Sequence, residues 1–254
     1  HTVTSGSSVM LSGGRAASAG SGRIAVETQS SDQTGGLIFK SALAETSETG
    51  SIELTTGDAS GAEQAGNIEM SVGASSTGIG GSVSVAAGQA TASTGGSVSL
   101  SGGASTSQVG GSVTARTSSS SASTGGMLIV TGSAASGASG SIQMATGTAG
   151  ISGSAGDFST VAGASANIAG SITLTAGTST SSTGGNVQLN SGASTDGLSG
   201  RVKISSGDVS GAGGSGALLM LTGDSESGNS GDVLIASGSS STASSGSVAL
   251  KNQD

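Results

Sequence analysis

Short runs of alternating apolar and polar residues recur along the chain at intervals of 14, 15 or 16 residues. In the segment Ser97–Ser101, Val98 and Leu100 alternate with serines. Alternation with a period of two is typical of a short strand with one buried face. We call the first apolar residue of each run its anchor. The anchors are Val9, Ile24, Ile38, Ile52, Ile68, Val83, Val98, Val113, Leu128, Ile142, Phe158, Ile172, Val187, Val202, Leu218, Val233 and Val248.

Small residues hold fixed places between these runs. Glycine usually stands five residues after the anchor, as at Gly88 and Gly103, and one or two further glycines close each repeat, as at Gly110 and Gly111. The residue seven positions after the anchor is almost always Ala or Ser, Val209 being an exception. We expect the glycine five residues after the anchor to supply a turn with positive φ or to relieve crowding of the backbone at a corner.

The pattern predicts an all-β fold, a single-stranded β-solenoid (β-helix) with about 15 residues per coil and roughly 17 coils. The repeat is too short for a helix that connects parallel strands, and no helical periodicity is present. Val98 and Leu100 are expected to point inward, and Ser97 and Ser99 outward. Because no linker interrupts the repeat, residues 1–254 are expected to form one continuous domain. No capping element is visible at either end, so we expect a segment or subunit of a longer assembly.

Two repeats allow two phases of the alternation. In the first, either Ile38 and Lys40 or Leu37 and Phe39 point inward; the second phase is preferred because a buried, unpaired lysine is costly. In the other, glycine at position 132 favours Met127 and Ile129 over Leu128 and Val130 as the inward pair.

Composition excludes several classes of function. Only 9% of the residues are charged and 1% are aromatic, and the net charge of −8 argues against nucleic acid, which requires basic surfaces. No apolar run approaches the roughly 20 residues needed to span a bilayer, so no membrane insertion is expected. Cysteine is absent, which excludes disulfides and thiolate metal sites.

The sequence offers little for catalysis, and we predict that the protein is not an enzyme and has no cofactor. The chain has one histidine, His1, so neither a Ser-His-Asp nor a Cys-His set can form. Glu53 and Glu69 fall at the same outward place in successive repeats. A bridging cation between them is a weak candidate metal site, and a solvated charged face is the alternative interpretation.

Four further side chains are candidates for contacts between copies of the chain. Arg201 and Lys203 flank Val202 on the outward face and suit an acidic neighbour. Leu219 and Leu234 share an outward place in successive repeats, where exposed leucines suggest a lateral contact.

The units TGGSVSLSGGAS and TGGNVQLNSGAS resemble the Ser/Gly/Ala-rich β-solenoid repeats of extracellular surface proteins of algae and bacteria. The resemblance implies a structural or adhesive role outside the cell or at its surface. Our leading hypothesis is a protein that forms or extends a fibre or surface filament by end-to-end stacking of solenoids, with other copies of itself as partners. The alternative is an adhesin shaft or a solenoid surface that binds ice or carbohydrate. Exposed Ser and Thr would also permit glycan attachment.

Overall fold

The computed structural model describes residues 8–14, 21–30, 32–44 and 48–252. Within these ranges there is no helix and no strand. The expected β-solenoid is therefore wrong for the structure in hand, because the described residues form no ladder of hydrogen bonds from one repeat to the next. Backbone hydrogen bonds of these residues join glycines that lie close in sequence.

The described chain also lacks the buried core that a solenoid requires. No apolar side chain in the described ranges is buried, and Val98 and Leu100, expected to point inward, are 54% and 81% exposed. Each repeat supplies about two large apolar side chains among many Gly, Ser and Ala residues. Ordering the backbone costs ~1–2 kcal/mol for each residue, and a repeat has some fifteen residues. Burying so little apolar area per repeat cannot readily offset that cost.

What recurs in place of strands is a bend at a fixed place in the repeat. In repeats of fifteen residues the bend covers the eighth to tenth residues after the anchor, as at 106–108, 180–182 and 195–197. In two of the three sixteen-residue repeats, those that follow Ile52 and Val202, it lies one residue later, at 61–63 and 211–213, and in the third a turn lies at 151–152. The sequence period is thus preserved as a period of chain reversals.

Five of these reversals are closed by a hydrogen bond between two glycines. The N–H of Gly111 donates to the carbonyl oxygen of Gly103 at 2.7 Å, and Gly96 donates to Gly88 at 2.9 Å. We call a segment closed in this way a closed loop. The donor and acceptor pairs are Gly96 and Gly88, Gly111 and Gly103, Gly170 and Gly163, Gly185 and Gly177, and Gly200 and Gly192. Gly22 also donates to Gly14, but residues 15–20 between them lie outside the described ranges.

The two glycines of a closed loop differ in the space that surrounds them. A Cβ on Gly111, two residues before the next anchor, would lie 2.9 Å from the backbone nitrogen of Gly103, so the close approach of the two backbones excludes a side chain there. A Cβ on Gly103, five residues after the anchor, would meet nothing within 4 Å. The crowding expected at the glycine five residues after the anchor is therefore wrong at Gly103, and the crowded glycine is the donor.

Positive φ does not explain the fixed glycines. Among the described residues, Gly137 alone has a positive φ, of 106°. It ends the bend at 135–137 and is not one of the glycines that recur five residues after an anchor.

Contacts of the glycines that precede the anchors help to decide whether Leu37 or Ile38 is the anchor of its repeat. The glycine two residues before an anchor faces the residue four positions after the previous anchor, as Gly185 faces the Cβ of Ala176 at 3.3 Å. Gly50 faces the Cβ of Ser41, which is four residues after Leu37. Leu37 is also less exposed than Ile38, at 52% against 78%. Both observations favour Leu37 as the anchor.

The chain divides into two compact units, His1–Leu128 and Ile129–Asp254. The N-terminal unit holds the closed loops ending at Gly96 and Gly111, and the C-terminal unit those ending at Gly170, Gly185 and Gly200. The same local design therefore occurs in both units. The expectation of one continuous domain stays a prediction.

Candidate functional site

Serine hydroxyl groups hold the bends in place. In the loop that ends at Gly111, the Oγ of Ser105 accepts a hydrogen bond from the N–H of Gln108 at 2.9 Å. Ser179 and Ser194 accept equivalent bonds at 2.9 Å from the residues three positions later. Each of these serines stands seven residues after its anchor. Such a hydroxyl satisfies a backbone donor that the turn leaves unpaired.

The sequence recorded this position as Ser or Ala, and its role was missed. The signal that could have found it is the type of residue, because Ser readily bonds a backbone N–H three residues on, whereas Ala cannot. Position 90 is Ala, and it has no hydroxyl to offer. The position therefore tolerates both residues, but only Ser adds a hydrogen bond to the bend.

Between the loops lie segments that we call arms, each running from the residue before an anchor to the third residue after it, such as Ser97–Ser101 and Arg201–Ser205. The arms carry most of the large apolar side chains, and among the described residues these lie exposed. Large apolar side chains that are exposed repeatedly are typical of a surface that contacts a partner.

Leu219 and Leu234 lie in successive arms of the C-terminal unit. Leu234 is 87% exposed, whereas its neighbours Val233 and Ile235 are 57% and 58% exposed. Leu219 is 75% exposed, between Leu218 and Met220 at 55% and 59%. Each of the two leucines is thus more exposed than the two apolar residues that flank it.

The charged candidates lie in arms of both units. Arg201 and Lys203 are exposed on either side of Val202 in the C-terminal unit, and Glu53 and Glu69 are exposed in two successive arms of the N-terminal unit. No group of three or more His, Cys, Asp or Glu that could hold a metal ion occurs among the described residues. The structure therefore gives Glu53 and Glu69 no third ligand.

A cleft of about 1220 Å³ in the N-terminal unit is lined by Glu69 but not by Glu53. Its other polar side chains are Thr56, Asn67, Ser101 and Ser112. One carboxylate beside hydroxyl groups and an amide does not form a pair of carboxyl groups for acid–base chemistry, nor does it hold a nucleophile with an adjacent base. His1 lies outside the described residues.

None of the described residues belongs to a helix long and apolar enough to span a membrane. Comparison of the chain with protein-family models, with curated proteins and with solved structures gives no match. What can be argued about function therefore comes from the arms and loops themselves.

Proposed function

We propose that this chain is a structural protein that associates with copies of itself to build a fibre or coat outside the cell. The observation that carries the proposal is the exposure of apolar side chains along arms that recur throughout the described chain. Water opposes that exposure, since each large apolar side chain gains about 1.5–3 kcal/mol when it is fully covered. Association of many equivalent arms would supply that cover.

The repeat itself supports a partner of the same kind. Every copy presents many arms of similar length and similar spacing, so one copy offers a matching series of surfaces to another. Contacts between identical repeating surfaces add up along the chain even when each of them is weak. The place outside the cell rests on the resemblance of the repeat to surface proteins of algae and bacteria.

The test is the state of the purified chain as its concentration rises. Sedimentation velocity and negative-stain electron microscopy should show ordered assemblies with a constant width above a threshold concentration. A chain that stays monomeric up to millimolar concentration would overturn the proposal. Amorphous aggregates without a regular width would overturn it equally, because they require no specific contact.

A further inference from the structure

We propose that two copies of this chain associate side by side with their arms matched in reverse order, so that the N-terminal unit of one copy contacts the C-terminal unit of the other. This inference rests on the proposed function and names the contact that begins the assembly. Three pairs of exposed side chains, described in turn below, would meet in this alignment: Arg23 with Asp232, Ile38 with Leu219, and Glu53 with Lys203.

In the pair of Glu53 and Lys203, an acidic residue meets a basic one at the position directly after an anchor. Glu53 lies between Ile52 and Leu54, and Lys203 lies between Val202 and Ile204. Their anchors are equally exposed, Ile52 at 56% and Val202 at 53%. When these two arms align anchor to anchor, apolar residues meet apolar residues, and a carboxylate meets an ammonium group.

The arm of Lys203 offers a second polar match in the same alignment. Arg201 stands directly before its anchor, and Ser51 stands directly before Ile52. A guanidinium group has five donors and no acceptor, and the hydroxyl of Ser51 can accept a bond from it. The arm of Val202 thus meets an arm that complements both of its basic side chains.

Moving outward by one arm in each copy brings two apolar arms together. Ile38 and Leu219 both follow the anchor of their arm and are 78% and 75% exposed. Each is the apolar residue at a position that carries Ser, Thr or a charge in many other arms. The alignment therefore covers two otherwise unfavourable surfaces with each other.

One arm further outward, the order of charges is reversed and still matches. Arg23 precedes the anchor Ile24 in the N-terminal unit, and Asp232 precedes Val233 in the C-terminal unit. Both are exposed. Since the N-terminal unit supplies the base in one pair and the acid in the other, a shift of one arm leaves these charges without their partners and is disfavoured.

The contact joins the N-terminal unit of one copy to the C-terminal unit of another. The smallest associated species is then a dimer, and larger assemblies are built from it.

Two variants with unchanged net charge test the alignment. The first reverses the C-terminal unit with Lys203→Glu and Asp232→Lys, and the second reverses the N-terminal unit with Arg23→Glu and Glu53→Lys. Each alone should dimerise at least about tenfold more weakly in sedimentation equilibrium at low salt, because like charges oppose each other at both pairs. Mixed in equal amounts, the two variants should form a heterodimer with the affinity of the original chain.

The control is Arg116→Glu with Asp157→Lys, which also preserves net charge. In the proposed alignment these residues oppose the uncharged Ala145 and Ser97, so dimerisation should be unchanged. If either test variant by itself dimerises as tightly as the original chain, the alignment is overturned and the proposed function still stands. A second result would also overturn the alignment. If mixing the two variants does not restore dimerisation but placing all four changes in one chain does, the charges meet within a single chain.

A cross-link provides a second measurement that does not depend on charge. The chain has no cysteine, so a mixture of an Ile38→Cys chain with a Leu219→Cys chain can form one mixed disulfide, and only between copies. In a glutathione redox buffer the mixed disulfide should exceed the two homodimeric disulfides several-fold. With Ile79→Cys in place of Ile38→Cys, that excess should vanish. If Ile38→Cys and Ile79→Cys give equal yields of the mixed disulfide with Leu219→Cys, the alignment is overturned.

Discussion

The closed loop Gly103–Gly111 and the arm Ser97–Ser101 that precedes it show the two ways in which this chain treats its own surface. The loop is made of small and polar residues, and it closes on itself through the bonds from Gly111 to Gly103 and from Gln108 to Ser105. The arm carries Val98 and Leu100, and both remain exposed. Local order thus lies where the side chains are small, and the apolar residues are left for other contacts.

This difference has a physical origin. A loop of about eight residues closes through hydrogen bonds between its own groups, each worth about 0.5–1.5 kcal/mol, and it needs no second surface. Covering an arm requires a second surface of matching shape, and the described repeats do not supply one to each other. The loops are therefore a property of each repeat alone, whereas the arms depend on partners.

The largest effect on assembly is expected when apolar side chains in the arms are compared with apolar side chains outside them. Changing both Leu219→Ser and Leu234→Ser should raise the concentration needed for assembly by at least about tenfold, because each covered leucine contributes about 1.5–3 kcal/mol. The measurement is sedimentation velocity over a series of concentrations. Ile79→Ser with Leu198→Ser is the matched control, since these side chains are 99% exposed but lie outside the arms. Equal effects of both pairs would remove the distinction between arms and loops.

The next effect separates the two glycines that close a loop. Gly111→Ala places a Cβ against the backbone of Gly103 and should cost about 1–3 kcal/mol of loop stability, as overpacking commonly does. Gly103→Ala meets nothing and should leave the loop closed. Amide exchange at position 111, followed by NMR, measures both. Loss of protection in the Gly103 variant, or retention in the Gly111 variant, would contradict the steric explanation.

A smaller effect is expected at the bend with a left-handed glycine. Gly137→Ala should destabilise the bend at 135–137 by about 1–2 kcal/mol, because a φ of 106° suits glycine and not alanine. Gly132→Ala has equally open space and no positive φ, and should be neutral. Chemical shifts and coupling constants at residues 136–138 report the conformation. Unchanged values at these residues in the Gly137 variant would show that φ does not matter there.

The smallest effect concerns a single hydroxyl. Ser105→Ala removes the acceptor for the N–H of Gln108 and should cost about 0.5–1.5 kcal/mol. Ala90→Ser, at the same place in the previous repeat, should add such a bond and protect the amide of Ser93. Exchange rates at Gln108 and Ser93 should move in opposite directions. If both amides exchange as before, the hydroxyl does not hold the bend.

The periodicity could be predicted well from the sequence because apolar residues and glycines recur at fixed positions in each repeat. Anchors such as Val187 and Val202 mark it, and the structure repeats it as bends at 195–197 and 211–213. The crowding expected at Gly103 is absent, and the crowded glycine is Gly111, for which the spacing predicted no such role. Spacing shows where glycine is fixed, but only the surrounding atoms show why.

The fold could not be read from the same pattern. Alternation at Val98 and Leu100 says that one face avoids water, and it does not say whether the cover comes from the next repeat or from another molecule. That choice depends on the total apolar area that a repeat can bury, and two large side chains among glycines and serines leave it small. The candidate residues Arg201, Lys203, Leu219 and Leu234 were found because outward charge and outward leucine break the serine pattern. Their partners in space were beyond the pattern.

The closing bond between glycines also determines which changes of length this chain can accept during evolution. In the loop that begins at Gly163 the donor is Gly170, seven residues later, whereas Gly177 and Gly192 are bonded to glycines eight residues later. All three bonds are 2.9 Å long. A deletion of one residue is therefore absorbed within the loop, and the following arm keeps the same phase. The loop can therefore lose one residue between its two glycines while the donor glycine keeps its place two residues before the next anchor.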